Sequence, residues 1–347
     1  MNNQCSLSQL GWNQFFQQQL SLEEWEAFTL ARIVGQERSL LHVLTNDGKQ
    51  SLQVTPSMPM MTVGDWICLD SKGRFHRLLD RLSLFSRKAA GTRVTTQLIA
   101  SNIDTVFVVC SMNMDFSLNR IERYLSLANE SGVEPVIVLT KVDCCNNPED
   151  YVKQAHSLDP LLEIVTVNSL DSGSVGQLES WCVSGKTIAL LGSSGVGKST
   201  LINTLLGEEI QRTNTIRGDD EKGRHTTSGR SLHPLQAGGL LLDTPGMREL
   251  QLADCEHGVE ETFSEITELS AQCKFADCGH QSEPGCAVRA AIENGSLDQR
   301  RLTSYLKLMR EQGFNKASLA EKRARDRAFG RYVRMVMDNK RKQENDL

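Results

Sequence analysis

The spacing of hydrophobic and polar residues differs between successive parts of this chain. From Phe28 to about Phe85, short runs of β-type residues alternate with turn signals such as Asn46-Asp47-Gly48. This pattern predicts a small antiparallel barrel of about five strands. Such a domain either binds a partner or serves only as an adaptor, and the pattern is compatible with both.

After Ser86 the pattern changes to apolar strands separated by helical stretches such as Leu118 to Glu130. The predicted strands are Thr105 to Cys110, Pro135 to Thr140, Ile164 to Val167, Thr187 to Leu191 and Leu240 to Leu242. Buried-type strands that alternate with helices predict a mainly parallel sheet covered by helices on both faces.

The two ends of the chain differ from this α/β segment. The first residues are Gln-rich and weakly amphipathic, which predicts a short helix or a partly ordered extension. Beyond Asp254 no strand pattern remains, and a cysteine-rich loop is followed by helical sequence from Ala287. We therefore predict a multidomain α/β protein with an extension at 1–27, a barrel at 28–88, an α/β domain at 89–262 and a helical domain at 263–347.

Length and composition agree with several globular domains. The chain has 347 residues, of which 39% are hydrophobic and 23% charged, and its longest apolar runs are strand-sized. We therefore expect no membrane span, and the residues after Met1 lack the basic start and apolar stretch of a signal peptide. Most of the ten cysteines are expected to be free thiols in a cytoplasmic protein.

The strongest chemical signal follows the predicted strand Thr187 to Leu191. The segment Gly192-Ser193-Ser194-Gly195-Val196-Gly197-Lys198-Ser199 fits the phosphate-binding pattern GxxxxGK[ST], and a helix is predicted from about Thr200. Backbone N–H groups of such a loop surround phosphates at a helix N-terminus. Lys198 would supply a positive charge to the outer phosphates and Ser199 a hydroxyl to Mg²⁺. A chance glycine loop is the alternative.

A second motif predicts which base is bound. Thr140-Lys141-Val142-Asp143 has the form [NT]KxD and follows a predicted strand, at the edge where α/β sheets bind ligands. The Asp143 carboxylate can accept from N1–H and N2–H₂ of guanine, a pair of donors that adenine lacks, and the stem of Lys141 can cover the ring. Ser169, which follows another predicted strand, is a weaker candidate for the guanine oxygen.

Two further segments contain candidate ligands for Mg²⁺ and the γ-phosphate. In Asp243-Thr244-Pro245-Gly246, a DxxG motif, Asp243 can hold Mg²⁺ through water and the Gly246 N–H can sense the γ-phosphate. The segment Gly223-Arg224-His225-Thr226-Thr227 lies where a GTPase places the threonine that binds Mg²⁺ in the triphosphate state. Thr227 is favoured for this role, and Thr226 is the alternative.

The order of these motifs is unusual. The guanine motif and Ser169 precede the phosphate loop, Thr227 and Asp243, whereas in ordinary GTPases the guanine motif follows those three elements. A parallel sheet tolerates relocated termini at its surface, so a circular permutation retains the site and changes what is attached to each end. Because the segment after Asp243 leads almost directly to the cysteine-rich loop, nucleotide state could move the C-terminal domain.

The residue after the DxxG motif is Met247, whereas many GTPases soon have a glutamine that orients the attacking water. A methionine side chain cannot take that role. His225 is a candidate substitute, although an exposed loop histidine is also compatible with simple solvation. We therefore expect slow intrinsic turnover that a partner accelerates.

A metal site is predicted in the cysteine-rich loop. Cys273, Cys278, His280 and Cys286 have the spacing Cys-x4-Cys-x-His-x5-Cys, which matches a closed tetrahedral zinc site without an open catalytic position. One structural Zn²⁺ per chain would supply folding energy to a loop that buries little apolar surface. The alternative is three unrelated buried cysteines beside a surface histidine.

Together these segments resemble the circularly permuted ribosome small-subunit-dependent GTPase A (RsgA) family. The resemblance covers nearly the whole chain, in the order TKVD, GSSGVGKS, GRHTT, DTPG and the Cys/His spacing. It implies an OB-like barrel, a circularly permuted P-loop GTPase domain and a zinc-binding domain. It also implies hydrolysis of GTP to GDP with Mg²⁺, stimulated by the small ribosomal subunit during late maturation. Thr140 in place of asparagine and the Asn168-Ser169 variant depart from the family pattern, and the N-terminal extension is longer than expected.

The net charge of −5 at first argues against a nucleic-acid partner. The segment from Lys316 to Lys342, however, has ten Lys or Arg against three Asp or Glu, so it carries +7 and the remainder −12. This segment, together with the barrel, is the predicted surface for rRNA, although a charge run is usually only a solvated helix face. We expect a monomer that binds GTP and the small subunit. A switch acting on protein partners alone and a zinc-bearing regulator with a vestigial nucleotide site are the alternatives.

Overall fold

The computed structural model of the chain describes residues 5–37, 39–88, 96–208, 230–243 and 255–316. Thirteen β-strands and ten α-helices lie within these ranges. None of the helices in these ranges combines the length and the apolar character needed to cross a membrane.

The N-terminal segment contains two short helices, α1 (Gln14–Gln17) and α2 (Leu22–Ala27). Ser21 and Glu24 cap the start of α2 reciprocally, each side chain accepting the other's backbone N–H. The ring of Trp12 packs edge-on against that of Trp66, with 4.9 Å between the centroids. The prediction of a short helix in this segment is confirmed, and the aromatic contacts hold it on the first sheet.

Five antiparallel strands follow, as the alternation of apolar runs and turns predicts. They are β1 (Thr29–Gln36), β2 (Leu40–Thr45), β3 (Gly48–Gln53), β4 (Trp66–Leu69) and β5 (Phe75–Leu78). Their pairing runs β3-β2-β1-β4-β5. Among the described residues no pairing of β3 with β5 closes this ladder, so the OB-like barrel stays a prediction.

A separate two-stranded sheet connects these strands to the rest of the chain. β6 (Leu84–Lys88) pairs antiparallel with β7 (Thr96–Ser101). Beside it, the fully buried guanidinium of Arg32 donates to the carbonyl oxygens of Leu10, Gly64 and Asn102. Burial lowers the pKa of Arg32 to about 10. Because each carbonyl belongs to a different segment, this one side chain joins the N-terminal residues to the start of the α/β part.

The α/β part contains the parallel sheet that the apolar runs predict. Its strands are β8 (Thr105–Ser111), β9 (Glu134–Thr140), β10 (Glu163–Val167), β11 (Thr187–Leu191), β12 (Arg230–Pro234) and β13 (Leu240–Asp243). Their order is β10-β9-β8-β11-β13-β12, all parallel except β12. The five predicted strands are confirmed, whereas β12 was not predicted. β12 also pairs with β1, at Ser231 and Gly35, so one sheet continues into the N-terminal strands.

Helices cover both faces of this sheet. They are α3 (Leu118–Glu130), α4 (Pro148–His156), α5 (Ser172–Val175) and α6 (Lys198–Leu206), with 3₁₀ turns at Val142–Cys144 and Gly176–Trp181. Phe107 and Val109 pack in a core with α5 and α6, and Val108 and Cys110 in another with α3 and α4. Successive strand residues point to opposite faces, and both faces are covered, so the central strands β8 and β11 are buried along their whole length.

Four helices form the C-terminal part of the described chain. They are α7 (Glu256–Thr262), α8 (Ser264–Ser270), α9 (Ala287–Glu293) and α10 (Gln299–Lys316). α7 lies so close to α3 that a Cβ at Gly258 would be 2.1 Å from the carbonyl oxygen of Ser126. Val259, Phe263 and Leu302 share one core with Leu127 of α3. The C-terminal helices therefore pack directly on the α/β part.

Candidate functional site

The phosphate loop lies between the end of β11 and the start of α6. Gly192 has a φ of 150°, and a Cβ there would lie 2.4 Å from the carbonyl oxygen of Val109. Only glycine allows the loop to leave the sheet this close to β8. Gly197 has a φ of 95° and precedes the first residue of α6, so the N–H groups of the first helical turn face the loop.

Lys198 is buried at the first position of α6. Its ammonium donates to the carbonyl oxygens of Gly192, at 2.7 Å, and Ser193. The charge therefore lies inside the loop, where the loop geometry can hold the phosphates of a nucleotide. Ser199 and Thr200 follow in the same turn, each half-buried.

The structure brings the guanine motif against this loop. Thr140, at the end of β9, is fully buried and donates from its hydroxyl to the carbonyl oxygens of Val196, at 2.6 Å, and Cys110, at 3.2 Å. The Lys141 ammonium donates to the carbonyl oxygen of Gly195 at 3.0 Å. Two motifs more than fifty residues apart in sequence are thus hydrogen-bonded to each other at the carboxyl edge of the sheet.

The remaining base-recognition candidates lie at the same edge. Val142 and Asp143 belong to a 3₁₀ turn after β9, and the Asp143 carboxylate is exposed. The Cys144 thiol donates to Asp143 Oδ2 at 3.3 Å, and this hydrogen bond raises the pKa of Cys144. The buried Ser169 hydroxyl has no hydrogen-bond partner among the described residues, and a Cβ at Gly197 would lie 3.5 Å from it. An unpaired buried hydroxyl is costly, so a ligand group that bonds to it is favoured.

The magnesium candidates are described only in part. Asp243 is the last residue of β13, the strand next to β11, so its carboxylate lies at the same sheet edge as Ser199. The other candidates for Mg²⁺, the γ-phosphate and water lie outside the described residues: His225, Thr226, Thr227, Gly246 and Met247.

The four predicted metal ligands form one cluster. The ligand atoms of Cys273, Cys278, His280 and Cys286 all lie within 4.8 Å of one another. The two sulfurs of Cys273 and Cys286 are 3.9 Å apart, and His280 Nδ1 lies 3.7 and 3.4 Å from them. A tetrahedral zinc ion with Zn–S bonds of about 2.3 Å and Zn–N bonds of about 2.0 Å requires separations of roughly 3.8 and 3.5 Å. The cluster could therefore hold a metal ion.

Neighbouring groups favour the metal-binding form of two of these ligands, His280 and Cys273, whereas the pKa of Cys278 is raised to about 11. Ser270 Oγ lies 3.0 Å from His280 Nε2, so Nδ1 faces the sulfurs. Burial lowers the pKa of His280, which favours the neutral ring. Burial opposes ionisation of Cys273, but the N–H groups of Ala287 and Val288 lower the pKa of this thiol below its usual value. The Glu283 carboxylate accepts from the N–H groups of residues 279, 281 and 282 and so closes the loop around the cluster.

Several side chains at the site were not predicted from the sequence. Arg120 Nη1 donates to Ser193 Oγ at 3.0 Å, and the Tyr124 hydroxyl lies 3.4 Å from the same atom. Both belong to α3. The two residues are one turn apart on a helix that follows β8, and β8 ends at the sheet edge where ligands bind. This spacing could have been detected in the sequence. Contacts with a particular loop residue, however, depend on the tertiary fold.

The sequence of residues 78–253 matches the family described as RsgA GTPase. The chain belongs to the RsgA GTPase family. It is therefore a GTP hydrolase, in agreement with the GxxxxGK[ST] loop and the guanine motif.

The relatives of this RsgA family member match it over most of their length. "Small ribosomal subunit biogenesis GTPase RsgA 2" of Vibrio parahaemolyticus is 58% identical, over 97% of this chain and 94% of its own. The protein of the same name from Vibrio vulnificus is 54% identical, over 97% of each chain. "Small ribosomal subunit biogenesis GTPase RsgA" of Mesorhizobium japonicum is 46% identical, over 89% of this chain and 91% of its own.

Solved structures agree on the fold. The crystal structure of YjeQ from Thermotoga maritima has a TM-score of 0.62 at 24% identity and covers 82% of this chain and 98% of its own. The structure of YloQ, described as a circularly permuted GTPase, has a TM-score of 0.58 at 23% identity, over 84% and 96%. The circularly permuted GTPase fold predicted from the order of motifs is therefore confirmed.

Proposed function

We propose that this chain is a GTPase that binds the small ribosomal subunit and assists its late maturation, with hydrolysis stimulated by the subunit. The observation that carries the proposal is the hydrogen-bonded contact of Thr140 and Lys141 with the phosphate loop. Such a contact supports the binding of one nucleotide across both segments, with its base at the guanine motif and its phosphates at the loop. The names of the Vibrio and Mesorhizobium relatives assign the ribosomal role to those proteins.

In this proposal GTP lies along the carboxyl edge of the sheet. Lys198 and the N–H groups of residues 192–200 bind the phosphates, Asp143 reads the guanine edge, the Lys141 stem covers the ring, and Ser169 contacts the base. The cluster of charge and N–H groups at the start of α6 supports the phosphate assignment. The unpaired Ser169 hydroxyl supports the base assignment.

Mg²⁺ is assigned to Ser199, Asp243 and Thr227, with Thr226 as the alternative to Thr227. Gly246 would sense the γ-phosphate, and His225 would assist the attack of water in place of the glutamine that Met247 replaces. A site without that glutamine would hydrolyse GTP slowly by itself, which accords with activation by a large partner.

The metal in the Cys/His cluster is proposed to be one structural Zn²⁺. Three thiolates and one imidazole are the ligand set that zinc prefers, and the ligand separations fit a closed tetrahedron. The ion would hold the irregular segment between α8 and α9 together. It would therefore contribute to folding and take no part in GTP hydrolysis.

The surface for rRNA is proposed to combine the OB-like barrel at 28–88 with the basic segment from Lys316 to Lys342. The charge of +7 on that segment supports the assignment, because phosphate binding depends on clustered Lys and Arg. The α/β domain at 89–262 and the C-terminal domain at 263–347, joined to the extension at 1–27 and the barrel, would form a monomer that works in the cytoplasm.

The test is GTP turnover by the purified chain with and without purified small ribosomal subunits. We expect a subunit-dependent increase in phosphate release that falls at higher salt, because rRNA contacts are screened. Lys198→Ala is the matched control, with a loss of at least about 100-fold in stimulated turnover. A chain whose turnover does not respond to subunits at any salt concentration contradicts the ribosomal role and favours a switch that acts on protein partners.

A further inference from the structure

Two side chains in the first half of helix α3 contact the phosphate loop. Arg120 and Tyr124 lie one helical turn apart, so both side chains lie on the same side of α3. Both reach the hydroxyl of Ser193, at 3.0 and 3.4 Å. Ser193 is also the residue whose carbonyl oxygen accepts from Lys198. The position of α3 therefore affects the loop residue to which the catalytic lysine is bonded.

The same helix is fixed to the C-terminal domain through a buried carboxylate. Glu122 has no exposed surface, and its Oε1 accepts from Arg300 at 3.0 Å and Arg301 at 2.9 Å. Arg301 is also paired with Glu265 of α8. A carboxylate buried this completely needs its cationic partners, because an uncompensated charge in that environment is strongly destabilising.

A second ion pair joins α3 to α10 one residue further along. The Arg123 guanidinium binds the Glu311 carboxylate with two parallel hydrogen bonds, of which Nη2–Oε1 is 2.7 Å. This bidentate geometry fixes orientation as well as distance. Because both partners are partly exposed, the pair can be altered without placing a charge in the core.

We propose that α3 is a positioning element through which the C-terminal metal-binding domain sets the conformation of the phosphate loop. The packing of Gly258 on α3 leaves little space for sliding, so a displacement of the C-terminal helices moves α3 with them. Arg120 and Tyr124 then shift relative to Ser193. The inference rests on the proposed function only in that the loop binds GTP, and it makes Arg120 a positioning residue for the reaction.

The test is a charge-reversal cycle at Arg123 and Glu311, read by the affinity of the isolated chain for a fluorescent GTP analogue. Arg123→Glu and Glu311→Arg are each expected to weaken binding by about fivefold or more, and the double reversal is expected to restore it. Thermal unfolding of each variant confirms that it is folded. Lys153→Ala, an exposed change on α4, is the control and leaves the affinity within about twofold.

A second double-mutant cycle, of Arg120 with Glu311, distinguishes coupling through Ser193 from a general loss of packing. If the signal passes through Ser193, Arg120→Ala weakens binding and removes the further effect of Glu311→Arg, so the two losses do not add. Folded single-reversal variants with unchanged affinity, or losses that add fully with Arg120→Ala, overturn the proposal. No ribosome is used, so a failure of subunit stimulation would contradict the proposed function and leave this test intact.

Discussion

Thr140 determines how the two halves of the nucleotide site meet. Its hydroxyl lies in the core, with hydrogen bonds to the carbonyl oxygens of Val196 and Cys110. At this position threonine and asparagine both offer a donor to the loop, which accounts physically for the departure from the more usual asparagine. The side chain joins two strand ends, whereas the proposed recognition of the base depends on the exposed Asp143.

Removal of the Thr140 hydroxyl is expected to weaken GTP binding. Thr140→Ala leaves the carbonyl oxygen of Val196 without this partner, and a hydrogen bond of this kind contributes about 1 kcal/mol, so affinity should fall about fivefold. Thr140→Ser keeps the hydroxyl and should bind within about twofold of the parent chain. Titration with a fluorescent GTP analogue measures both. Equal affinities for the Ala and Ser variants would show that the hydrogen bond is not needed.

At the scale of elements, the strands of the parallel sheet could be predicted because burial on both faces leaves a continuous apolar run. Helix α3 could be predicted because its apolar residues, such as Ile121, Leu125 and Ala128, recur at helical spacing and form one buried face. β12 could not be, because Arg230–Pro234 is short and polar and becomes a strand only by pairing with β13 and β1. The metal cluster was predictable, since its four ligands are close in sequence. The hydrogen bonds of Ser270 and Glu283 in and around that cluster depend on the three-dimensional structure, which the spacing of residues in the sequence does not show.

The metal-binding loop can be tested by counting reactive thiols. With metal bound, Cys273, Cys278 and Cys286 are expected to resist alkylation, and a chelator should make these three thiols reactive because metal holds them as ligands. Cys110, Cys182 and Cys255 are an internal control, since burial raises the pKa of each to about 12 and they should stay unreactive in the folded chain. Mass spectrometry of alkylated peptides locates the labels. Equal labelling of the cluster before and after chelation would refute a metal site.

At the scale of the whole molecule, the permuted sheet is joined to the N-terminal strands and to the C-terminal helices. β12 continues the sheet into the N-terminal strands, and α3 joins it to the C-terminal helices. Hydrogen bonding also crosses the predicted boundary at residue 88, because β6 pairs with β7. Sequence patterns show where each segment is apolar, but not which segment it pairs with. The domain boundaries therefore stay predictions, whereas the permuted order of motifs was readable directly.

Glu122 joins α3 to the C-terminal helices by accepting from both Arg300 and Arg301. Glu122→Ala leaves Arg301 buried without one of its carboxylate partners, and breaking a buried pair costs about 3 kcal/mol. The unfolding midpoint should fall by several degrees, as measured by thermal denaturation. Asn119→Ala, an exposed change that removes another hydrogen bond to Arg300, is the control and should have little effect. Equal midpoints for the two variants would mean that the ion pairs contribute little.

The most direct test of the assembled nucleotide site is the base selectivity of Asp143→Asn. In the proposed complex the carboxylate accepts two hydrogen bonds from guanine, whereas an amide would offer a donor that suits the extra oxygen of xanthine. We predict that GTP affinity falls at least about tenfold and that xanthosine triphosphate binds better than GTP, as measured by competition against a fluorescent GTP analogue. A variant that binds GTP as tightly as the parent chain and still rejects the xanthine nucleotide would contradict a guanine site at the junction of β9 and the phosphate loop.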